Sequence, residues 1–261
     1  MIGDVKYISQ EKLKKLLKLK KKKYQKLYNL FIVEGTKVLY EFIKNNWNPE
    51  YILATEKWIK KNNFFHEKLY LIEYEVIKKL SSLKNPPGVV GFFKKKLLNV
   101  NQIPINDFLV CFYNLQNPSN VGAIIRSGLW FGFKHYIFSN NSVDTFNNKV
   151  IQSSVGAISK VSLYEIEKFE DFLIKKGSNY NIYFADLEGT PIYDVNFSYP
   201  SIIVFGNESF GFKTFNCNNG NTINIKKIFI PYFKEKEIDS LNVAMSATIF
   251  FYEINRQLKR K

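Results

Sequence analysis

A chain of 261 residues, 46% hydrophobic and 23% charged, has the balance of an ordinary soluble protein and the length for one large domain or two of usual size. No apolar run approaches the roughly 18 residues of a membrane span, the N-terminus lacks the apolar core of a secretory signal, and the two cysteines, Cys111 inside an apparent core strand and Cys217 in a separate part of the chain, suggest no disulfide framework, so a cytoplasmic protein is expected. The formal net charge of +15 is unevenly placed: residues 1–100 carry 22 Lys against nine acids, residues 101–261 only 16 Lys and Arg against 14.

That asymmetry begins with the first predicted element. Ile8 to Leu30 has strong helical propensity, with Ser9 as its cap, Leu13, Leu16, Leu17 and Leu27 near helical spacing, and lysines around much of the circumference. A general preference for lysine, 35 Lys to three Arg, would not concentrate the excess in one third of the chain. A localised basic surface is the footprint of a polyanion binder, with nucleic acid expected ahead of an anionic membrane. Phe31 to Gly35 follows as a short strand, Thr36 to Asn45 as an amphipathic helix, and Tyr51–Ala54 and Lys68–Ile72 as further strands with helices between and after them. Ser82 to Gly88, with Pro86 and Pro87, breaks the pattern before a strand at Val89–Phe93. Residues 1–95 therefore read as a small α/β domain, and 96–106, with Pro104 inside, as a linker.

The pattern restarts at Asp107 and is expected to run to residue 261 as a second domain. Phe108–Tyr113 has the length and composition of a buried strand, and Val121–Trp130 that of a helix, with Asn120 fitting the N-cap and Gly132 able to end it in the left-handed conformation. Strands follow at Tyr136–Phe138, Val161–Leu163, Ile182–Ala185, Ile202–Phe205 and Ile228–Ile230, with helices at Asn147–Val155 and Phe169–Lys176, and a long apolar helix from Leu241 to about Lys259. Strands separated by helices imply an α/β fold whose parallel sheet is covered on both faces.

Several chemistries lack their signatures. There is no G-x-x-x-x-G-K-[ST] phosphate loop and no G-x-G-x-x-G after a strand. His66 and His135, the two histidines, have no second ligand at useful spacing, so no metal is expected, and no Ser–His–Asp arrangement can be argued. Three loops at strand ends remain: Asn114 to Arg126; Phe205-Gly206-Asn207-Glu208-Ser209-Phe210-Gly211; and Ile230-Pro231 with Asp239-Ser240-Leu241-Asn242-Val243, where Asn242 in an apolar stretch is expected to be buried and partnered. Each alone is explained by turn glycines, a helix cap or one satisfied polar residue.

Taken together, N-x-x-x-P-x-N-x-G-x-x-x-R, then G-N-E-x-x-G, then I-P with S-L-N-V downstream resembles the three motifs of the SpoU/TrmH family of RNA ribose 2′-O-methyltransferases. Ser153 to Ala157 is similar to that family's S-x-G-A segment, and Phe31-Ile-Val-Glu-Gly35 with Asn85-Pro-Pro-Gly-Val-Val is similar to its N-terminal substrate-binding domain. The resemblance implies an α/β C-terminal domain tied in a deep trefoil knot, a smaller N-terminal domain like ribosomal protein L30e, and a homodimer formed through the knotted domain. It implies S-adenosylmethionine as cofactor, held by backbone groups at Gly206, Ile230 and Leu241, and site roles for Asn120, Arg126, Glu208, Ser240 and Asn242. Ribosomal RNA is the expected substrate, with transfer RNA second; a non-catalytic RNA-binding or ribosome-assembly protein on the same fold is the rival.

Arg126 is the only arginine before the C-terminal helix. A guanidinium stays protonated at ordinary pH, so the expectation is that it orients the 2′-hydroxyl or an adjoining phosphate and stabilises developing negative charge, rather than acting as a base. The segment between Pro231 and Ser240 departs from the family pattern, being charged where relatives have a shorter glycine-containing turn.

Overall fold

The computed structural model describes residues 6–206, 225–233 and 237–259. They form two compact units, one built from residues up to 96 together with 146–159, the other from 97–145 together with residues from 160 onward.

In the first unit five strands, β1 (Lys6–Tyr7), β2 (Leu30–Glu34), β3 (Pro49–Ala54), β4 (Leu69–Leu71) and β5 (Val89–Lys94), form a mixed sheet in the order β1-β4-β3-β5-β2. β5 runs antiparallel to both β2 and β3, while β4 is parallel to β1 and β3. The single N-terminal helix expected from Ile8 to Leu30 is instead broken: α1 (Gln10–Leu17), a 3-10 turn over Lys18–Lys20, then α2 (Lys22–Tyr28). Ser9 does cap α1. The break falls in the run Lys20–Lys23, where like charges crowd one another and Lys21 takes an extended conformation. The buried Gln25 amide donates to the Leu19 carbonyl at 2.8 Å across the break, and both Leu16 and Leu19 reach the core.

The remaining helices of this unit are α3 (Thr36–Lys44), α4 (Glu56–Asn62), α5 (Tyr74–Leu80) and, from later in the chain, α7 (Asn148–Ser154). Phe146 stacks on Phe31 at a ring separation of 4.7 Å, Gln152 donates to the Ser82 hydroxyl at 2.9 Å, and the Trp47 indole donates to the Ser159 carbonyl at 3.0 Å. The buried Glu34 carboxylate accepts from the hydroxyls of Ser81 and Ser82 and from the Ser82 N–H, which pins the start of the proline-rich breaker to the end of β2.

The second unit holds a wholly parallel six-stranded sheet: β6 (Phe108–Tyr113), β7 (His135–Ser139), β8 (Ser162–Ile166), β9 (Asn181–Pro191), β10 (Ser201–Gly206) and β11 (Ile225–Phe229), in the order β11-β9-β10-β6-β7-β8. Alternate residues of its continuous apolar strands serve opposite faces. Leu109, Cys111, Ile137, Ile182 and Val204 meet α8 (Phe169–Gly177) through Phe169 and Leu173. On the other face Phe205 meets Phe250 and Phe251 of α9 (Val243–Leu258), which packs against α6 (Pro118–Trp130). Gly128 makes that packing possible: a Cβ there would collide with the Tyr136 hydroxyl and lie 3.0 Å from the Phe251 ring.

Of the residues 96–106 expected to link two domains, those from 97 onward belong to this second unit: Ile103 is buried in its core, and Tyr180 donates to the Pro104 carbonyl at 2.6 Å. Two boundaries also shift. β11 begins at Ile225 and ends before Ile230, and the last helix starts at Val243, leaving Ser240 and Leu241 in the preceding loop.

Candidate active site at the carboxyl ends of the second sheet

From β6 the chain moves outward to β7 and β8, whereas from β10 it moves the opposite way, to β11 at the far edge. β6 and β10 are paired neighbours, with Tyr113 opposite Gly206 at their carboxyl ends. A parallel sheet opens a ligand crevice where the strand order reverses in this manner. All three candidate loops leave strands at that end of the sheet or return to it.

The first loop is held by local polar contacts. Asn114 turns left-handed (φ 54°), which asparagine tolerates better than most residues, and its N–H donates to the Ser139 hydroxyl at 3.0 Å. Ser142 donates to the Phe112 carbonyl at 3.0 Å, and the Val143 N–H to the Leu115 carbonyl at 3.0 Å. The helix that follows starts three residues earlier than expected, and its cap is Asn117 rather than Asn120. Asn117 Oδ1 accepts from the N–H groups of Ser119 at 2.9 Å and Asn120 at 3.4 Å, and Pro118 occupies the first helical position, where its missing N–H costs nothing. The Asn-Pro pair carried this signal in the sequence. At the far end Gly132 takes φ 93°, as expected.

Freed from capping, the Asn120 side chain does something else. Its Oδ1 accepts a hydrogen bond from Asn242 Nδ2 at 3.1 Å, across 122 residues of chain. Asn242 is exposed, correcting the expectation of burial: it is the N-cap of α9, its Oδ1 accepting from the Ala244 N–H at 2.9 Å while its amide reaches Asn120. A polar residue in an apolar stretch is thus explained by a helix start rather than by a satisfied core position. The first and third motifs meet through these two side chains.

Arg126 lies two turns along α6, exposed, with neither an ion pair nor a hydrogen bond to any described residue. An arginine that no described residue engages can be turned toward a ligand. Gly206 is half-buried at the end of β10, Ile230 immediately follows β11, and Ser240 and Leu241 are exposed in the approach to α9. Glu208 lies outside the described residues. Among the described residues no group of three or more His, Cys, Asp or Glu could hold a metal ion, and no helix is long and apolar enough to cross a membrane. Burial pushes the Cys111 thiol well above its ordinary pKa and leaves it inert in the core.

Fold and site together define an α/β protein whose parallel sheet reverses its strand order between β6 and β10, with Asn120 and Asn242 joined at the starts of the two helices beside that switch point. The chain belongs to the SpoU rRNA Methylase family, whose model matches residues 107–252; a second model, the MRM3-like substrate binding domain, matches residues 10–91. It is 24% identical to an uncharacterized tRNA/rRNA methyltransferase of Synechocystis, over 94% of this chain and 90% of that one. It is 26% identical to the 23S rRNA (uridine(2479)-2′-O)-methyltransferase of Streptomyces viridochromogenes, over 87% of this chain and 83% of that one. The crystal structure of a SpoU methyltransferase from the same organism, in complex with AdoMet, superposes with a TM-score of 0.81 at 22% identity, covering 96% of this chain and 99% of that one.

Proposed function

We propose that the protein transfers the methyl group of S-adenosylmethionine to a ribose 2′-hydroxyl of ribosomal RNA in the cytoplasm. The observation that carries this reading is the meeting of Asn120 and Asn242 beside the switch point, in a chain matched by a methylase model and a substrate-binding model in tandem. Relatives named as 23S rRNA 2′-O-methyltransferases support the substrate class.

The residues present suit the cofactor. Gly206 carries no side chain at the half-buried end of β10, so a ligand can approach its backbone closely, and Ile230 and Leu241 lie just past β11 and just before α9, outside sheet and helix. When bound, S-adenosylmethionine supplies an electrophilic methyl on a sulfonium. Arg126, permanently charged, orients the 2′-hydroxyl or its neighbouring phosphate and stabilises the oxygen as it becomes nucleophilic, while the proton leaves to a phosphate oxygen or to water. Asn120 and Asn242 hold the two walls in register, Ser240 contributes to substrate orientation beside them, and Glu208 positions Arg126 or the substrate.

The architecture in this reading is a trefoil-knotted C-terminal domain over 107–261 and an L30e-like RNA-binding domain over 1–95. In support of the knot, β11 stands at the sheet edge, yet Asn242, later in the chain, bonds Asn120 on the helix that follows β6. In support of a homodimer through this domain, α6 and α9 leave Trp130 84%, Met245 63% and Tyr252 57% exposed, with Met245, Ile249 and Tyr252 spaced along one helix face.

The test is to incubate the protein with labelled S-adenosylmethionine and fractionated RNA from a strain lacking the gene. Alkali-stable labelled dinucleotides in the ribosomal fraction are the expected result. Label in transfer RNA alone would move the substrate, and RNA binding without any label would replace the enzyme by a scaffold protein.

A further inference from the structure

The first unit carries a second feature that the proposed methyl transfer does not use: an open groove of about 490 Å³ on its surface, lined by the exposed side of the N-terminal helix. Tyr28 and Tyr51 line it, with Lys12, Lys14, Lys15 and Lys18 along its α1 side. The break in the N-terminal helix creates this arrangement. Leu13, Leu16 and Leu17 turn inward on α1, which leaves Lys14, Lys15 and Lys18 on the opposite face at helical spacing. The break then swings α2 so that Tyr24 and Tyr28 stack beside those lysines, their rings 6.0 Å apart. Lys15 sits over the Tyr28 ring at 4.5 Å, and Lys18 and Lys23 over the Tyr24 ring at 5.6 and 5.0 Å. Tyr51 packs against Tyr70 at 6.0 Å, both rings half-buried on the core.

Among the described residues none of the lysines from 12 to 26 is in an ion pair, although elsewhere in the unit Lys60, Lys78 and Lys94 all are. Glu11 is the one acid in the lining. Uncompensated ammonium groups held against aromatic faces favour a ligand with both negative charge and flat rings. Duplex RNA offers phosphates but keeps its bases stacked inside, whereas an unpaired stretch presents both.

We infer that this groove takes unpaired nucleotides of the RNA substrate, a base lying against Tyr51 and Tyr28 and the flanking phosphates on Lys12, Lys15 and Lys18. The inference rests on the RNA reading above and deepens it: the groove selects a single-stranded segment, and the crevice of the second unit modifies a ribose.

The test uses the full chain and a short fluorescent oligouridylate, with a duplex RNA of the same length as control. Tyr51→Leu keeps bulk on the core but removes the aromatic face and weakens oligonucleotide binding about ten-fold, while Tyr51→Phe binds as the parent does. Lys12→Gln/Lys15→Gln/Lys18→Gln, which leaves the core untouched, reduces the slope of log affinity against log salt by about two. Unchanged binding in both Tyr51→Leu and the triple variant overturns the inference. So does equal loss for duplex RNA, and so does tighter binding to phosphatidylserine vesicles than to the oligonucleotide. Methyl transfer is measured separately. An active enzyme whose oligonucleotide binding ignores the groove removes the groove alone, and an inactive protein whose binding depends on it removes the methyltransferase reading alone.

Discussion

Asn242 donates to Asn120 across 3.1 Å, and the same Asn242 caps the helix that closes the second unit. One side chain therefore sets both where α9 begins and how the third motif meets the first. The two roles are separable. Asn242→Ala loses cap and contact together and should cost about 1 kcal/mol in urea unfolding. Asn242→Ser keeps a capping oxygen but cannot reach Asn120 as the amide does, so stability should largely return while turnover stays low. Equal recovery of both would show that capping was the residue's whole contribution.

Arg126→Lys should leave stability unchanged, because the guanidinium has no partner within the described protein to lose. Turnover should fall about 100-fold or more, the usual cost of removing a donor aimed at a developing oxyanion. Affinity for S-adenosylmethionine, measured by calorimetry, should stay within a few-fold. A large loss of cofactor binding would place Arg126 in the cofactor site instead.

Gly128→Ala tests the α6–α9 seam. Alanine is the better helix former by about 1 kcal/mol, yet here its methyl would meet the buried Tyr136 hydroxyl and the Phe251 ring. Overpacking at such a position costs about 1–3 kcal/mol and should outweigh the gain. Adding Tyr136→Phe removes the nearest obstructing atom, so the double variant should be more stable than Gly128→Ala alone in the same unfolding experiment.

Phe146→Ala should destabilise the first unit, although residue 146 lies fifty residues beyond that unit's main stretch of chain. Its ring is buried against Phe31, and deleting a buried phenyl group typically costs about 3–5 kcal/mol. Hydrogen exchange should show the loss in β2 amides.

Acid stability should depend on Asp107. Burial alone would raise its pKa, but hydrogen bonds from His135 and the Phe108 N–H, with the charges of His135 and Lys134, outweigh that and hold it below the usual carboxylate value. Its contribution is therefore fully present above the unfolded pKa of about 4 and is lost as pH falls through the lower folded value. Asp107→Asn should flatten the acid limb of the stability curve, measured by urea unfolding between about pH 2 and pH 5.

The alternation of strands and helices, the parallel second sheet and most of its members were legible in the chain, because fully buried parallel strands must be continuous apolar runs such as Phe108–Phe112 and Ile202–Phe205. The motif residues were legible too, since their types and order survive without coordinates. The starts of α6 and α9 were misplaced, unlike that of α1 at Ser9: Asn117, Asn120 and Asn242 are chemically the same, and the choice of cap depends on which backbone N–H groups are left orphaned once Pro118 and Val243 take the first helical turns. The broken N-terminal helix was equally hidden, because local propensity favoured continuity while the break falls in the run of like charges at Lys20–Lys23, where Lys21 is extended. Periodicity reports what one segment buries. Which distant segments share a crevice, as Asn120 and Asn242 do, or a core, as Phe31 and Phe146 do, is decided by long-range packing, and it leaves no trace in local spacing.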